Sequence, residues 1–538
     1  MKSFVFQLSL LLIFVPKNFG IDENSSEEKM IYSTSVMSMV KLLEMEESLK
    51  ANLEAYVQAM QSKVDKIKLY QESLKRESFN TLAEKEEYMA NPLNAFPLVR
   101  RLNQDWPKWL RYLKLAIATK NTKEMELQLK SAPIDDDLNV ALKGMTRIEK
   151  FYNQHAEDLS KGFLLGRKFN SHLTAPDCNA LANFHYNQSR FSESTHWYRM
   201  ALRLHEFPQG ELYEKVLGLK RKKIYKKYAK ALLKESLTLD KVKITSTEKS
   251  EWDSMAKEVT REDNYDNVKK LIDEYLTGDE KIFQEEAAKR KRKPTKLERG
   301  CRGEWPKITS SQLTCRYNKE TSPFLKIAPL KLEFLSLQPL VLLYHEVLYE
   351  QEFKQMRDIA IFNATMQDGW TYVNFDKNGK PEPQDSVVKM VTFQGTTAPF
   401  TLSINRRIAD MSGLEMLENM ALYLTNYGLG GHFGKHVDYV ELADRPPGFF
   451  SEYGGDRIAT ALLYATDVPL GGTTVFTKLK LSIEPKKGNA LIWFNLNHAG
   501  DPNPLTEHSV CPVVMGSRWT ISKWIHERQQ VFKKPCLA

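Results

Sequence analysis

The chain reads as a multidomain α+β protein: an N-terminal helical coiled-coil region, a tetratricopeptide-like helical peptide-binding domain, and a C-terminal double-stranded β-helix, or jelly roll. Three observations carry this. At 538 residues the length points to two to four domains rather than one. From Leu49 to Leu74 apolar residues recur at spacings of four and three, as along a helical seam. From Asp456 to His526 short β-rich runs alternate with Gly and Pro turns, the pattern of a barrel or jelly roll.

The first element is a leader. Met1-Lys-Ser precedes the apolar run Phe4 to Val15, and Pro16 to Gly20 follows, which describes a secretory signal peptide over residues 1–20. The run is too short to span a membrane, and no later stretch is long and apolar enough. A net charge of +9 is spread widely. Its runs Leu219–Lys227 and Lys289–Lys293 read as a helix face and a solvated linker; the leader opposes taking the second as a nuclear signal. Asn24, Asn187 and Asn363 open glycosylation triplets, and five cysteines suit an oxidising compartment. The expected location is the endoplasmic reticulum lumen. The tail Pro-Cys-Leu-Ala holds no retention signal, so retention would need a partner.

Residues 21–150 form the helical assembly region. Its seam runs Leu49, Leu53, Tyr56, Met60, Ile67, Tyr70 and Leu74, with Lys63 breaking it once; packing inside one subunit is the alternative. Residues 151–240 carry a degenerate tetratricopeptide pattern between Cys178 and Pro208, with Leu181-Ala182, His185, Tyr198 and Ala201 at its key positions. Such helix pairs form grooves for extended peptides. Tyr186, Trp197 and Tyr198 are the candidate peptide contacts, with inter-helix packing the alternative for each. The stretch Glu211 to Leu239 is unusually rich in lysine. Residues 241–316 are charged and low in apolar content, a helical connector.

Residues 317–538 hold the chemistry. His436 and Asp438 stand two apart in Gly434-Lys-His-Val-Asp, so on a strand they project together. His508 lies seventy-two residues on, and Arg518 ten beyond it. Two His and one carboxylate form the facial triad that holds non-haem Fe(II) and leaves positions open. A cation beyond the second His can bind the far carboxylate of 2-oxoglutarate. Arg518, Thr520 and Ser522 share one strand face, so Arg518 and Thr520 are expected to hold that carboxylate; a structural Arg is the alternative.

At these residues, and at Asp456–Tyr464, Gly471–Phe476, Asn489–Asn495 and Arg518–His526, the chain resembles the α-subunit of collagen prolyl 4-hydroxylase, an iron and 2-oxoglutarate dioxygenase. The likeness is dense from about Asn426 to Cys536 and thins towards the N-terminus. It implies proline hydroxylation in collagen-like or other proline-rich secretory chains, with ascorbate as a further cofactor. His526 corresponds to a family histidine near the C1 carboxylate of 2-oxoglutarate. Tyr427, Thr460, Tyr464 and Trp493 are expected to line the pocket. The resemblance implies disulfides Cys301–Cys315 and Cys511–Cys536, leaving Cys178 free. It implies that Asn91 to Trp106 serves assembly, and that the protein forms an α2β2 tetramer with protein disulfide isomerase. Arg518 replaces the family's usual Lys, Lys435 a usual Pro, and Ala461 a frequent Trp. Hydroxylation of another residue or a non-collagen chain, or a non-catalytic peptide-binding subunit, are the competing readings.

Overall fold

A computed structural model describes residues 31–239 apart from 76, 77 and 207, residues 293–362 apart from 307–312, and residues 367–533 apart from short stretches between 369 and 453. The leader, Asn24, Asn363, Cys536 and most of the connector lie outside the described residues. Asn187 is described and exposed.

Helix α1 (Val36–Ser73) is capped by Ser35, whose side chain accepts the Ser38 amide. Helices α2 (Leu82–Ala90), α3 (Pro92–Arg100), α4 (Trp106–Lys114) and α5 (Thr119–Leu129) follow. The expected seam divides between two faces of α1. Tyr56, Ile67 and Tyr70 are half-buried within the subunit, where Tyr70 stacks on Trp109 at 4.6 Å. Asn121 donates to Asn52 at 3.2 Å on the same side. Lys63, the interruption in the pattern, donates to the carbonyls of Leu113 and Leu115 at the end of α4, where a cation answers unpaired carbonyls. Leu53 and Met60 face outward, 53% and 40% exposed, in line with Val57 and Val64.

Helix α6 (Asp135–Tyr152) begins with three aspartates, which suit the positive end of a helix. The short helix α7 (Ala156–Ser160) and a hairpin of β1 (Phe163–Leu164) with β2 (Arg167–Lys168) lead to helices α8 (Ala175–Asn187), α9 (Phe191–Arg203), α10 (Gln209–Lys215) and α11 (Arg221–Leu239). Helix α9 packs against both α8 and α11 around one apolar core. Trp197 and Tyr198 belong to that core, 0% and 1% exposed, so they correct the expectation of peptide contacts. The reason is chemical: each ring satisfies its polar atom inside the protein, Trp197 Nε1 on Glu149 at 2.6 Å and the Tyr198 hydroxyl on Asn183 at 2.8 Å. Tyr186 stays half-buried beside Phe191.

The C-terminal part is built on a nine-stranded antiparallel sheet, β3 (Cys315–Asn318), β4 (Leu330–Leu337), β5 (Leu340–His345), β16 (Ala490–Phe494), β12 (Arg457–Tyr464), β19 (Trp519–His526), β10 (Leu422–Tyr427), β9 (Val388–Phe393) and β6 (Gln367–Asp368), in that spatial order. A second sheet runs β11 (Phe433–His436), β17 (His508–Val510), β14 (Thr474–Phe476) and β15 (Leu481–Ile483). Two-stranded ribbons, β7 (Val373–Phe375) with β8 (Pro381–Pro383) and β13 (Leu470–Gly471) with β18 (Val513–Met515), complete the set. Alternation sorts the side chains. Ala459, Ala461, Leu463, Trp519 and Ile521 face a core shared with helices α13 (Glu350–Phe362) and α14 (Pro399–Ser412). Leu462, Tyr464 and Trp493 face the second sheet with Phe476 and Ile483. The helical front and antiparallel C-terminal sheets agree with the expected class.

Helix α12 (Lys296–Cys301) ends in a disulfide from Cys301 to Cys511, with Cα atoms 5.6 Å apart. This corrects both expected pairings. The cause is packing: Gly300 on α12 meets Val475 of β14, which carries Cys301 over the second sheet beside β17, while Cys315 is exposed on β3. Cys178 is free and buried, and burial pushes its thiol up to about 12.

Helix α6 touches everything around it. Gly144 packs so closely on the β10–β11 turn that a Cβ would stand 2.3 Å from the Leu429 carbonyl oxygen. Arg147 donates to the Gly430 carbonyl at 3.0 Å, and the Tyr152 hydroxyl to the Pro512 carbonyl at 2.7 Å. At its start Asp137 accepts the Ser33 amide at 2.8 Å, and the Ser33 carbonyl in turn accepts the Leu429 amide at 3.2 Å.

Candidate active site

His436 and His508 are cross-strand partners on β11 and β17, which brings their ring centroids to 4.1 Å. In each, Nδ1 faces a carbonyl oxygen, Gly434 at 2.8 Å and Thr506 at 3.0 Å. A carbonyl only accepts, so each ring holds its proton on Nδ1 and presents the Nε2 lone pair. Those nitrogens lie 3.7 and 3.9 Å from the two oxygens of Asp438. Thr460 on β12 orients the carboxylate, donating to Oδ2 at 2.7 Å, and Asn495 donates to Thr460 at 3.0 Å.

Burial, then the neighbouring His508, pushes the His436 imidazole down to about 3. Burial raises the Asp438 carboxyl, but the two imidazoles, Arg457 and the Thr460 hydroxyl more than offset it, so it stays below the usual range. The result is a carboxylate beside the neutral His436 imidazole, the protonation a cation requires of both. The three donor atoms lie within 4.8 Å of one another. That set fits an iron(II) triad.

The triad opens on a cavity of about 290 Å³ between the sheets, lined by Tyr427, Thr460, Trp493, Thr474, Ser522 and the three ligand candidates, among others. Arg518 is fully buried behind two residues of that lining, Tyr427 and Thr474. Its Nε donates to the Gly472 carbonyl at 3.0 Å and Nη2 to Thr474 at 3.3 Å, and the guanidinium stacks on Tyr427 with 4.5 Å to the ring centroid. Nη1 is buried with no hydrogen-bond partner. A buried cation with one donor unspent fits a carboxylate-bearing ligand. Tyr464 bonds the Thr474 hydroxyl at 2.8 Å.

Two predicted residues stand elsewhere. The Thr520 hydroxyl is 2.5 Å from that of Thr425 across β10 and β19, so Thr474 takes the place beside Arg518 expected of Thr520. His526 is at the far end of β19, its Nδ1 donating to the Gly455 carbonyl at 3.0 Å, and it does not line the cavity. Lys523 points to the helix side of the sheet, where burial pushes its ammonium down to about 8. Sequence reasoning missed a second wall. Tyr423 and Trp524 meet at 4.7 Å and Arg457 stacks 4.0 Å over Trp524, donating as well to the Asp438 carbonyl at 3.2 Å. Trp524 shares the strand face of Arg518, so its period was available.

A model of the prolyl 4-hydroxylase α-subunit N-terminal region matches residues 35–166, and one of the 2OG-Fe(II) oxygenase superfamily matches 422–526. Prolyl 4-hydroxylase subunit α-1 of Rattus norvegicus is 31% identical over 94% of this chain and 95% of its own length. The chain belongs to the prolyl 4-hydroxylase α-subunit family. Prolyl 4-hydroxylase subunit α-2 of Gallus gallus is 30% identical over 98% of both chains. A viral collagen prolyl hydroxylase from Paramecium Bursaria Chlorella virus-1, solved with 2OG, aligns with 34% of this chain and 94% of its own at 17% identity and a TM-score of 0.27. As a member of the prolyl 4-hydroxylase α-subunit family, the protein is a 2-oxoglutarate-dependent dioxygenase, with Fe(II) and 2-oxoglutarate as cofactors.

Proposed function

We propose that this protein hydroxylates proline at C4 in collagen-like or other proline-rich chains of the secretory pathway, in the endoplasmic reticulum lumen. The observation that carries the reading is the His436–Asp438–His508 triad on a cavity whose lining residues Tyr427 and Thr474 touch a buried, incompletely paired Arg518. Nε2 of both histidines and the Asp438 carboxylate would hold the iron. Arg518 and Thr474 would hold the distal carboxylate of 2-oxoglutarate, with Tyr427, Tyr464 and Trp493 walling it from water. Bound iron and 2-oxoglutarate supply oxidative decarboxylation to succinate and carbon dioxide, placing one oxygen atom on the substrate carbon. The Tyr423–Trp524 wall, with Arg457 stacked behind, offers an apolar face for a pyrrolidine ring.

Residues 151–240 act as the peptide-binding domain, a tetratricopeptide-like arrangement of α8, α9 and α11, and residues 317–538 as the catalytic domain. The outward stripe Leu53, Val57, Met60 and Val64, spaced four, three and four, is the coiled-coil contact between α chains. Protein disulfide isomerase completes an α2β2 assembly, ascorbate serves as the reductant, and Asn187 is open to glycosylation. The test is hydroxyproline formation on a Pro-Pro-Gly repeat peptide. Alanine at His436, Asp438 or His508 should abolish it together with succinate release, while the protein stays folded. Full iron-dependent turnover in a chain lacking two of the three would remove the assignment.

A further inference from the structure

The hairpin of α8, α9 and α11 carries a charge pattern that the iron chemistry does not use. Helix α11 exposes Lys223, Lys227, Lys230 and Lys234, spaced four, three and four, so they share one face. None of the four forms an ion pair with a described residue. Glu235, next in sequence to Lys234, accepts the Thr195 hydroxyl at 3.0 Å.

One lysine fixes where this row lies. Lys227 Nζ reaches α8 and donates to Asn183 Oδ1 at 2.8 Å, the same oxygen that accepts the Tyr198 hydroxyl. Burial and the nearby Lys223 both hold the Lys227 ammonium below its ordinary range, as expected of crowded like charges without an anion. One turn before Asn183, Asn179 keeps its Oδ1 buried with no hydrogen-bond partner. The row thus borders α8, a helix of the proposed peptide-binding domain.

Spacing then selects the occupant. Lys223 to Lys230, and Lys227 to Lys234, are each separated by about 10.5 Å along the helix axis. A polyproline II chain repeats every third residue at about 9.3 Å. One side-chain position in each three-residue repeat therefore meets every second lysine of the row.

We propose that this lysine-bearing face selects proline-rich chains carrying an acidic residue in each three-residue repeat, the carboxylates pairing with alternate lysines, Lys223 and Lys230 or Lys227 and Lys234. The inference rests on the reading of this region as the peptide-binding domain, and adds the substrate class.

Two synthetic peptides of equal length, (Pro-Pro-Gly)n and (Glu-Pro-Gly)n, test it with the full-length chain. The acidic peptide should show a KM lower by about fivefold at low ionic strength, since several exposed pairs each contribute little. The advantage should fade as salt rises. Lys227→Glu with Lys230→Glu should invert the KM ratio of the two peptides, while Lys227→Arg with Lys230→Arg should retain it. Equal KM values, or a preference unchanged by charge reversal, would overturn the inference and leave the hydroxylase reading standing. Fluorescence anisotropy of labelled peptides reads binding without turnover. An acidic preference in binding with neither peptide hydroxylated would keep the groove inference and remove the proline hydroxylase reading instead.

Discussion

Replacing Arg518 by alanine tests the active-site geometry most directly. The guanidinium is fully buried, spends Nε on the Gly472 carbonyl and Nη2 on Thr474, and keeps Nη1 without a partner. A carboxylate reaching it gains a charge-assisted hydrogen bond worth about 1.5–3 kcal/mol. Arg518→Ala should therefore weaken 2-oxoglutarate by roughly 10- to 150-fold. The effect belongs in KM for 2-oxoglutarate, read from succinate release at saturating peptide and iron, with iron affinity little changed. Ligand-induced stability gives a second reading. At a hundred times the native Kd, 2-oxoglutarate should stabilise the native chain by about 2.7 kcal/mol, against about 0.4 kcal/mol for a variant binding a hundredfold more weakly. Arg518→Lys should recover part of the binding, because it restores a point charge but not the fork that also reaches Gly472 and Thr474. An unchanged KM in Arg518→Ala would refute the carboxylate site. Lys523, on the other face of the sheet, offers no replacement.

Leu53→Lys with Met60→Lys should lower the mass of the assembly in light scattering without loss of helix content, because Tyr56 and Ile67 still hold α1 to its own subunit; an unchanged mass would place the contact elsewhere. His432 gives a pH prediction: burial, and then Arg147, pushes its imidazole from 6.5 down to about 3. Its contribution to stability is therefore present above pH 6.5 and lost as pH falls from 6.5 towards 3, and denaturation curves of His432→Gln should be flatter across that window. Gly144→Ala would gain about 1 kcal/mol in an isolated helix. Here its Cβ meets the Leu429 carbonyl, so chemical denaturation should instead show a loss of about 1–3 kcal/mol.

Much of the C-terminal fold was legible because its strands announce themselves locally. Asp456–Tyr464 contains β12, Asn489–Asn495 contains β16, and Arg518–His526 contains β19. The two-residue period also set Arg518 on the strand face that turns Ser522 and Trp524 to the cavity, and kept Lys523 off it. What failed depended on partners distant in sequence. Cys301 finds Cys511 because α12 lies on the second sheet, a placement that cysteine spacing does not encode. Thr474 reaches Arg518 only because β14 and β19 face one another across the cavity, while the residue with the right period, Thr520, turns to Thr425. Trp197 and Tyr198 looked like contact residues by type, yet Glu149 and Asn183 take their polar atoms into the helical core. The α1 spacing suggests one seam, yet it supplies two faces, because Tyr56 and Tyr70 turn to the subunit while Leu53 and Met60 turn outward.

The contacts of α6 bear on how the molecule comes apart. Glu149 binds Trp197 at 2.6 Å and His185 at 2.8 Å in the helical hairpin, while Arg147 and Tyr152 of the same helix bind the sheets at Gly430 and Pro512. Backbone groups on the catalytic side thus draw their partners from residues far upstream. A fragment begun at Tyr317 would strip the cover from Gly428 and Gly430, leave the Pro512 carbonyl with the Gly472 amide alone and leave Cys511 single. Thermodynamically, α6 belongs to both halves, so a calorimetric scan should show one cooperative transition rather than two.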